Sequence, residues 1–402
     1  MAVVKGFHAI LYNSEKTGDL SNIVAPPYDV IDSAGQESLY EKHPLNFVRL
    51  ILSKEPGEKR YISAAETLKK WLDEKILQRE EKPAIFQYFQ DFEFEGNRFT
   101  RKGFIAAVKI EGFKNGVVLP HEKTFKKHKD DRLKLTEACE ANLSQVFSIY
   151  SDPEGLVEKT IENSAREPFA EIDFEGIKNT VWKVNDEETL ARVSDLMSDK
   201  KLLIADGHHR YETAINYRNK RGGNGLHEYV MMFLCRAEGN SLVVGPTHRA
   251  VKNFNGISGA ELAVNLKKEF ECAEISAMSE EKLRRDQIIF VYDKCEKSLV
   301  FSPENKEKTY KTMGVITLQN TIIEKIIEGK MSAPAPEIIF IKSRAEILKL
   351  IKTGECEAGF IMPDPLIKDV MDAAEQGVRM PQKTTYFYPK ILSGIAINPL
   401  WN

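Results

Sequence analysis

Residues 201–218 read KLLIADGHHRYETAINYR, and this stretch guides the interpretation of the whole chain. Leu202 to Ala205 form a short apolar run that is typical of a buried strand, and Asp206 and Gly207 form a turn. A helical spacing of apolar residues begins at His208. A strand that turns sharply into a helix leaves backbone N–H groups at the helix start, where phosphates bind readily. The stretch therefore predicts an anion site at this turn.

A simpler interpretation makes the same turn purely structural. Asp206 would then cap the helix, Gly207 would form the turn, and the following His and Arg side chains would lie on the surface. A helix cap explains Asp206 but does not explain two adjacent histidines together with Arg210. We therefore favour a functional site.

The composition is that of an ordinary globular protein. The chain has 402 residues, of which 42% are apolar and 29% charged, and its formal net charge is −3. This charge gives no general attraction to nucleic acids or acidic membranes. The five cysteines have no CxxC spacing and favour reduced thiols in the cytoplasm. We expect no signal peptide at the N-terminus, and no apolar run approaches the ~20 residues of a membrane helix.

Short strands and helices alternate between residues 146 and 200, which predicts a mixed α/β fold. We expect a catalytic core over residues 1–252 and a C-terminal α/β region over 253–402. Residues 380–402 are expected to return to the core. Residues 1–55 are interpreted as irregular, because the adjacent Pro26 and Pro27 exclude helix there.

A second informative stretch, PHEKTFKKHKDDR, covers residues 120–132 and is predicted to be a charged loop before a helix that begins at Leu133. Most charge runs are solvated surfaces. Alternatively, this loop could hold a phosphorylated substrate and present the Glu122 carboxylate to it. The residues alone favour neither interpretation.

Several kinds of chemistry lack their motifs. The chain has no HExxH zinc motif, no GxSxG serine elbow, no Walker A loop, no protein-kinase motifs and no NAD fingerprint. Magnesium is more plausible than zinc, since it needs only one or two carboxylates plus phosphate oxygens. Asp206 and Glu212 are the candidate ligands. Phosphoryl transfer, which requires cations, a metal and a proton acceptor, is the chemistry that remains.

Five separated motifs, in order, resemble a family long catalogued only as a domain of unknown function. They are APPYDVI (25–31), PHEKT with DDRLKL (120–135), ADGHHRYETA (205–214), GPTHR (245–249) and MPQKTTYFYPKILSG (380–394). The DGHHR element also resembles that of the free L-serine kinases of the ParB/sulfiredoxin-like superfamily. This resemblance implies a ParB/sulfiredoxin-like catalytic core with large elaborations. It also implies an enzyme that phosphorylates L-serine to O-phospho-L-serine with pyrophosphate and Mg²⁺, in a reversible reaction.

The resemblance also implies roles for individual residues. Asp206, His208, His209 and Arg210 match the kinase element, and Glu122 is the candidate for the catalytic glutamate. Glu122 or His208 would accept the hydroxyl proton, and Asp206 with Glu212 would hold Mg²⁺. The predicted phosphate- and substrate-binding residues are Gly207, His209, Arg210, Lys123, Thr124, Arg132, His248, Arg249, Lys383 and Lys390.

The resemblance implies pyrophosphate as the donor rather than ADP or ATP, and the lack of a visible nucleotide-binding motif agrees with this. Two other functions stay open: a metal-dependent phosphatase of phosphoserine or another phosphomonoester, and a ParB-like nucleic-acid-binding protein. The negative net charge and the lack of a helix-turn-helix disfavour the second. We expect small-molecule partners, with no nucleic acid and no membrane, and the sequence specifies no oligomeric state.

Overall fold

The computed structural model describes residues 1–122, 126–239, 242–252, 258–277, 283–284, 286–302, 314–318, 322, 337–381 and 383–402. The chain divides into two compact units. The first comprises Met1–Pro120, Thr124–Val243 and Pro389–Asn402, and the second comprises His121–Lys123 and Val244–Tyr388.

The described residues form the following strands and helices. The strands are β1 (Val4–Lys5), β2 (Ile10–Tyr12), β3 (Leu77–Arg79), β4 (Ile85–Phe94), β5 (Asn97–Lys109), β6 (Val118–Leu119), β7 (Ala141–Asn142), β8 (Val146–Tyr150), β9 (Ala170–Phe174), β10 (Ile177–Val184), β11 (Leu202–Asp206), β12 (Tyr229–Arg236), β13 (Val243–Gly245), β14 (His248–Lys252), β15 (Glu271–Glu274), β16 (Ile288–Tyr292), β17 (Lys297–Ser302), β18 (Glu337–Ile341), β19 (Ala358–Ile361), β20 (Tyr386–Tyr388) and β21 (Asn398–Pro399). The helices are α1 (Ser14–Thr17), α2 (Ser33–Lys42), α3 (Val48–Ile51), α4 (Lys59–Asp73), α5 (Lys126–Cys139), α6 (Leu156–Ser164), α7 (Glu187–Met197), α8 (His208–Arg221), α9 (Gly259–Glu269), α10 (Gly314–Thr317), α11 (Arg344–Thr353) and α12 (Ile367–Glu375).

The first unit is built on a mixed sheet. Its strands follow the order β6-β11-β8-β12-β5-β4-β10-β9, and β1 pairs with β5. The pairs β11–β6 and β12–β8 are parallel, and the other pairs along the sheet are antiparallel. Four of the five residues of β11 are buried, as expected for a strand with neighbours on both sides.

The core of this unit joins the sheet to helix α8. Ile204 of β11 and Met232 of β12 belong to the same buried cluster as Tyr211 and Ala214 of α8. The apolar residues of α8 therefore face the sheet, and burial of this face holds the start of the helix against the end of β11.

The second unit contains an antiparallel sheet with strand order β15-β17-β16-β19-β14-β18. Ile347 and Ile351 of α11 pack in one buried cluster with Ala250 of β14 and Ile289 of β16. Helix α11 therefore packs against this sheet. β14 pairs with β18 and β19 and groups with this unit, whereas the sequence placed it before the boundary at residue 252.

The mixed α/β fold class predicted from the sequence is confirmed. Two local predictions are wrong. Residues 1–55 contain the ten-residue helix α2, which is capped by Asp32. Only Leu39 of this helix is buried, so the sequence shows no clear apolar periodicity that would predict it. Helix α5 begins at Lys126 rather than Leu133. No helix in the described part of the chain is long and apolar enough to span a membrane.

Candidate active site at the start of helix α8

The turn between β11 and α8 has the geometry that the sequence predicts, except for the cap. Gly207 occupies the N-cap position with a φ of 88°, a left-handed conformation that glycine adopts without strain. No side chain caps the helix there. The interpretation of Asp206 as a helix cap is therefore wrong, and its carboxylate has other partners.

Asp206 lies between two cations of the first unit. Lys390 donates from Nζ to Oδ1 at 2.9 Å, and Arg210 donates from Nη2 to Oδ2 at 2.6 Å. Arg210 also donates from Nη1 to the backbone carbonyl of Gln145. The side chains of all three charged residues are less than 20% exposed. A single carboxylate thus orients two positive charges beside the helix start.

These cations determine the ionisation of Asp206. Burial alone would raise the pKa of its carboxyl, but the charges of Lys390 and Arg210 outweigh burial and lower the pKa well below its usual range. Asp206 is therefore an anion at neutral pH and a poor proton acceptor there.

The low pKa of Asp206 predicts a pH-dependent contribution to stability. Since the folded-state pKa lies below the unfolded value of about 3.9, the contribution is fully present above that value and is lost as pH falls through the folded pKa. Urea unfolding should therefore show a deficit of Asp206→Asn relative to wild type that is largest near neutral pH and shrinks between about pH 5 and pH 1. Asp195→Asn, in an exposed pair with Arg192, is the control. A deficit that does not change with pH would contradict this interpretation.

Gly207 offers a second test. A Cβ at this position would lie 2.8 Å from the guanidinium carbon of Arg210, whereas a Cβ at Gly176, with a φ of 77°, would meet no atom within 4 Å. Both Gly→Ala changes should cost about 1–2 kcal/mol of backbone strain. Only Gly207→Ala should also displace Arg210 and therefore lose additional stability. Equal losses in the free energy of unfolding of the two variants would contradict the placement of Arg210.

The two histidines of the motif lie in the first turn of α8. His208 is 6% exposed, and its charge contributes to the low pKa of Asp206, so the two side chains are electrostatic neighbours. His209 is half-buried. A neutral imidazole can accept a proton, so His208 is a candidate proton acceptor at this site.

An open cleft in the first unit, with about 470 Å³ of space that includes solvent at its mouth, has Arg210 in its wall. Arg132 and Tyr28 also line it, with the Arg132 guanidinium 4.0 Å from the centre of the Tyr28 ring. Most of the remaining wall is apolar and comes from Ile51, Leu135, Ala141, Leu143 and Val230. Two guanidinium groups thus lie in a wall of mixed polar and apolar residues, and guanidinium groups are suited to binding a compact anion.

Not every predicted cation or carboxylate is available for a ligand. Arg132 donates from Nε to Asp131 at 2.8 Å and from Nη1 to the carbonyl of Ile51 at 2.9 Å. Glu212 forms an ion pair with Lys129 at 2.7 Å. Among the described residues, no group of three or more His, Cys, Asp or Glu side chains is arranged to hold a metal ion. Each of the two predicted magnesium ligands, Asp206 and Glu212, is paired with a cation in this structure.

The second unit contains the other predicted residues that the structure describes. Glu122 forms an isolated β-bridge with Met380 and lies 3.7 Å from the ring of His121. Lys383 accepts a hydrogen bond from Arg249 Nη2 at its backbone carbonyl, at 3.2 Å. The predicted residues Lys123 and Thr124 lie outside the described residues.

Burial changes what His248 and Arg249 can contribute. Burial, together with the charges of Arg249 and Arg344, lowers the pKa of His248 to about 4. The ring is therefore neutral at pH 7, and its Nδ1 accepts a hydrogen bond from the backbone N–H of Met362. Burial also lowers the pKa of Arg249 to about 10, against the opposing effect of Glu122. Arg249 keeps a positive charge at neutral pH, whereas His248 does not.

Two polar residues at the site were not predicted. The Thr213 hydroxyl, on the cleft wall, and the Gln145 side-chain carbonyl are buried and have no hydrogen-bond partner among the described residues. Thr213 lies in the second turn of α8. The charged residues of the first turn drew the prediction to that turn instead. Gln145 directly precedes the apolar strand β8, and its position beside that strand is the signal that the sequence offers for it.

Comparison with solved structures finds similarity at low identity. Free serine kinase in complex with AMP is 18% identical, with a TM-score of 0.39, over 71% of this chain and 86% of that one. A conserved hypothetical protein from Pyrococcus furiosus is 15% identical, with a TM-score of 0.38, over 72% and 92% of the two chains. SbnI from Staphylococcus aureus, with a C-terminal truncation, is 11% identical, with a TM-score of 0.37, over 72% and 85%.

Among curated proteins, none matches the chain. The family model described as protein of unknown function (DUF1015) matches residues 4–322, which is most of the chain and includes the β11–α8 turn. This match confirms the resemblance drawn from the separated motifs. The chain therefore belongs to the DUF1015 family.

Proposed function

We propose that this protein is a phosphotransferase that phosphorylates free L-serine to O-phospho-L-serine. One observation carries the proposal: the Asp206 carboxylate lies between Lys390 and Arg210 at the start of α8, next to the buried His208. Phosphoryl transfer depends mainly on positioning and on cations placed against the phosphoryl oxygens. The resemblance of the DGHHR element to free serine kinases supplies the acceptor.

The donor we propose is pyrophosphate. In this reaction the serine hydroxyl oxygen forms a new bond to one phosphorus, and the bridging P–O bond of pyrophosphate breaks. The products are phosphoserine and inorganic phosphate, and the hydroxyl proton passes to a base on the enzyme. Because both sides contain a phosphoryl group bonded to oxygen, the same site can run the reaction in reverse.

The residues of the first unit have distinct roles in this proposal. Lys390 and Arg210 bind the phosphoryl oxygens, and Asp206 keeps both cations in place. His208 accepts the hydroxyl proton, since Asp206 is too weak a base at neutral pH. The alternative proton acceptor, Glu122, and the phosphate contacts of Arg132, His209, His248, Arg249 and Lys383 stay predictions.

Magnesium stays a prediction as well. When bound, Mg²⁺ would neutralise phosphate charge, and it usually reaches such sites with only one or two protein carboxylates. Asp206 and Glu212 are both paired with cations, so we assign no step to the metal. Chelation by EDTA followed by return of Mg²⁺ tests the requirement. We also propose a cytoplasmic location, because all five cysteines are free.

The test is incubation of the full chain with L-serine, Mg²⁺ and either pyrophosphate, ADP or ATP, followed by detection of phosphoserine. Phosphoserine formed with pyrophosphate supports the proposal. Phosphoserine formed only with a nucleotide overturns the proposed donor. Phosphate released from phosphoserine without any acceptor identifies a phosphatase instead. No product with any donor, together with salt-dependent DNA binding, would favour the nucleic-acid interpretation.

A further inference from the structure

The C-terminal segment (Pro389–Asn402) brings Lys390 to Asp206, and side chains of the sheet hold its backbone. The Pro389 carbonyl accepts a hydrogen bond from Arg101 Nη2. The Lys390 carbonyl accepts one from Gln90 Nε2 at 3.1 Å, and the Leu392 carbonyl accepts one from Gln145 Nε2 at 2.8 Å. The carbonyls of Pro389, Lys390 and Leu392 are thus all bound by side chains, which belong to β5, to β4 and to the residue before β8.

Arg101 is the central donor of this arrangement. Its side chain is fully buried, and its guanidinium lies 5.0 Å from the ring centre of Phe147 and 5.9 Å from that of Phe233. Nε donates to Gln90 Oε1 at 3.1 Å. One guanidinium group thus binds both the Pro389 carbonyl and the amide that holds the Lys390 carbonyl.

The sheet register builds this arrangement. Arg101 of β5 lies directly opposite Gln90 of β4, and Gln90 lies directly opposite Asn179 of β10. Asn179 Oδ1 accepts hydrogen bonds from Gln90 Nε2 at 2.9 Å and from the Tyr88 hydroxyl at 2.6 Å. The polar row therefore crosses three neighbouring strands and fixes the orientation of the Gln90 amide.

A buried guanidinium is costly, and well-packed apolar side chains often replace buried charges without loss of stability. Stability alone therefore does not account for Arg101 in the interior of the sheet. We propose that Arg101 and Gln90 are positioning residues that fix the backbone at Lys390, so that its ammonium group meets Asp206. This inference rests on the proposed function only for its effect on turnover, because the geometric effect on Lys390 is measurable without any reaction.

Lysine acylation followed by mass spectrometry measures that geometric effect. Lys390 is 16% exposed in its ion pair, whereas Lys178 is 56% exposed and serves as the internal reference. Arg101→Met removes the donors that hold the C-terminal segment. Acylation of Lys390 should then become at least roughly tenfold faster relative to Lys178, since lost hydrogen bonds to a charged group favour local opening.

Three further variants separate positioning from general destabilisation. Phe104→Leu changes a buried residue that lies three positions after Arg101 on β5, and we expect it to lower stability without exposing Lys390. Arg101→Lys should restore part of the protection, because an ammonium group can still reach one carbonyl. Gln90→Leu removes the bond to the Lys390 carbonyl and provides the test if Arg101→Met does not fold.

Unchanged Lys390 acylation in folded Arg101→Met or Gln90→Leu would overturn the inference, and so would equal exposure in Phe104→Leu. If wild type makes phosphoserine, the two positioning variants should lower kcat more than they raise KM. A wild type without activity would refute the proposed function but leave the acylation result intact, so the two failures are distinguishable.

Discussion

Lys390→Met is expected to lower phosphoserine formation by about a hundredfold to a thousandfold, the usual effect of removing one group that stabilises transition-state charge. Lys390 is one of the two cations bound to Asp206, and methionine keeps much of its length without the charge. Initial rates at saturating L-serine and pyrophosphate measure the effect.

Lys178→Met is the matched control for this variant. Lys178 pairs with Glu171 at 2.8 Å on the surface, and a surface pair of this kind contributes little to stability. We expect its activity to equal that of wild type. A folded Lys390→Met variant with the activity of the control would mean that the Asp206 cluster is not the reaction centre.

Arg210→Gln is expected to have an effect of similar or greater size, since an arginine that stabilises a phosphoryl-transfer transition state contributes about 10³-fold or more. The change also removes the bonds from Arg210 to Asp206 and to the Gln145 carbonyl. We expect a lower kcat and weaker binding of pyrophosphate, measured by steady-state kinetics and by calorimetry with pyrophosphate alone.

Arg192→Gln is the control for Arg210→Gln. Arg192 bonds Asp195 at 2.9 Å within helix α7, and both side chains are more than half exposed. Its substitution should leave kcat and pyrophosphate binding unchanged. If Arg210→Gln bound pyrophosphate as tightly as this control, the proposed contact between Arg210 and the donor would be refuted.

Local features of the site were predictable from the sequence. The apolar run before Asp206 and the helical spacing after His208 appear as β11 and α8, because both patterns depend on neighbouring residues. The left-handed turn was predictable from Gly207 for the same reason. The separated motifs were also sufficient to identify the family, since the family model matches most of the chain.

Long-range pairing was not predictable. Lys390 was a candidate phosphate ligand, but its bond to Asp206 joins residues that are 184 positions apart and depends on how the C-terminal segment packs. The helix-cap interpretation of Asp206 failed for this reason: a cap depends on local chemistry, whereas this carboxylate is used by tertiary partners. The pairing of Glu212 with Lys129 likewise required the position of α5.

The buried polar row shows a different limit. Gln90 and Arg101 lie in strands whose other buried residues are mainly apolar, so their sequence pattern indicates only a strand. Their function depends on the register between β4 and β5, which places them opposite each other. The hairpin turn after Phe94 fixes this register locally, but the bonds from Gln90 and Arg101 to the C-terminal segment join residues 300 and 288 positions apart, and local sequence does not specify them.

The most direct test of the Asp206 cluster is transfer of phosphorus-32 from labelled pyrophosphate to L-serine by wild type, Asp206→Asn and Lys390→Met. Circular dichroism establishes beforehand that each protein is folded. We predict labelled phosphoserine with wild type and a loss of at least about a hundredfold in both variants. Labelled phosphoserine at the wild-type rate in either folded variant would contradict the assignment of phosphoryl transfer to this cluster.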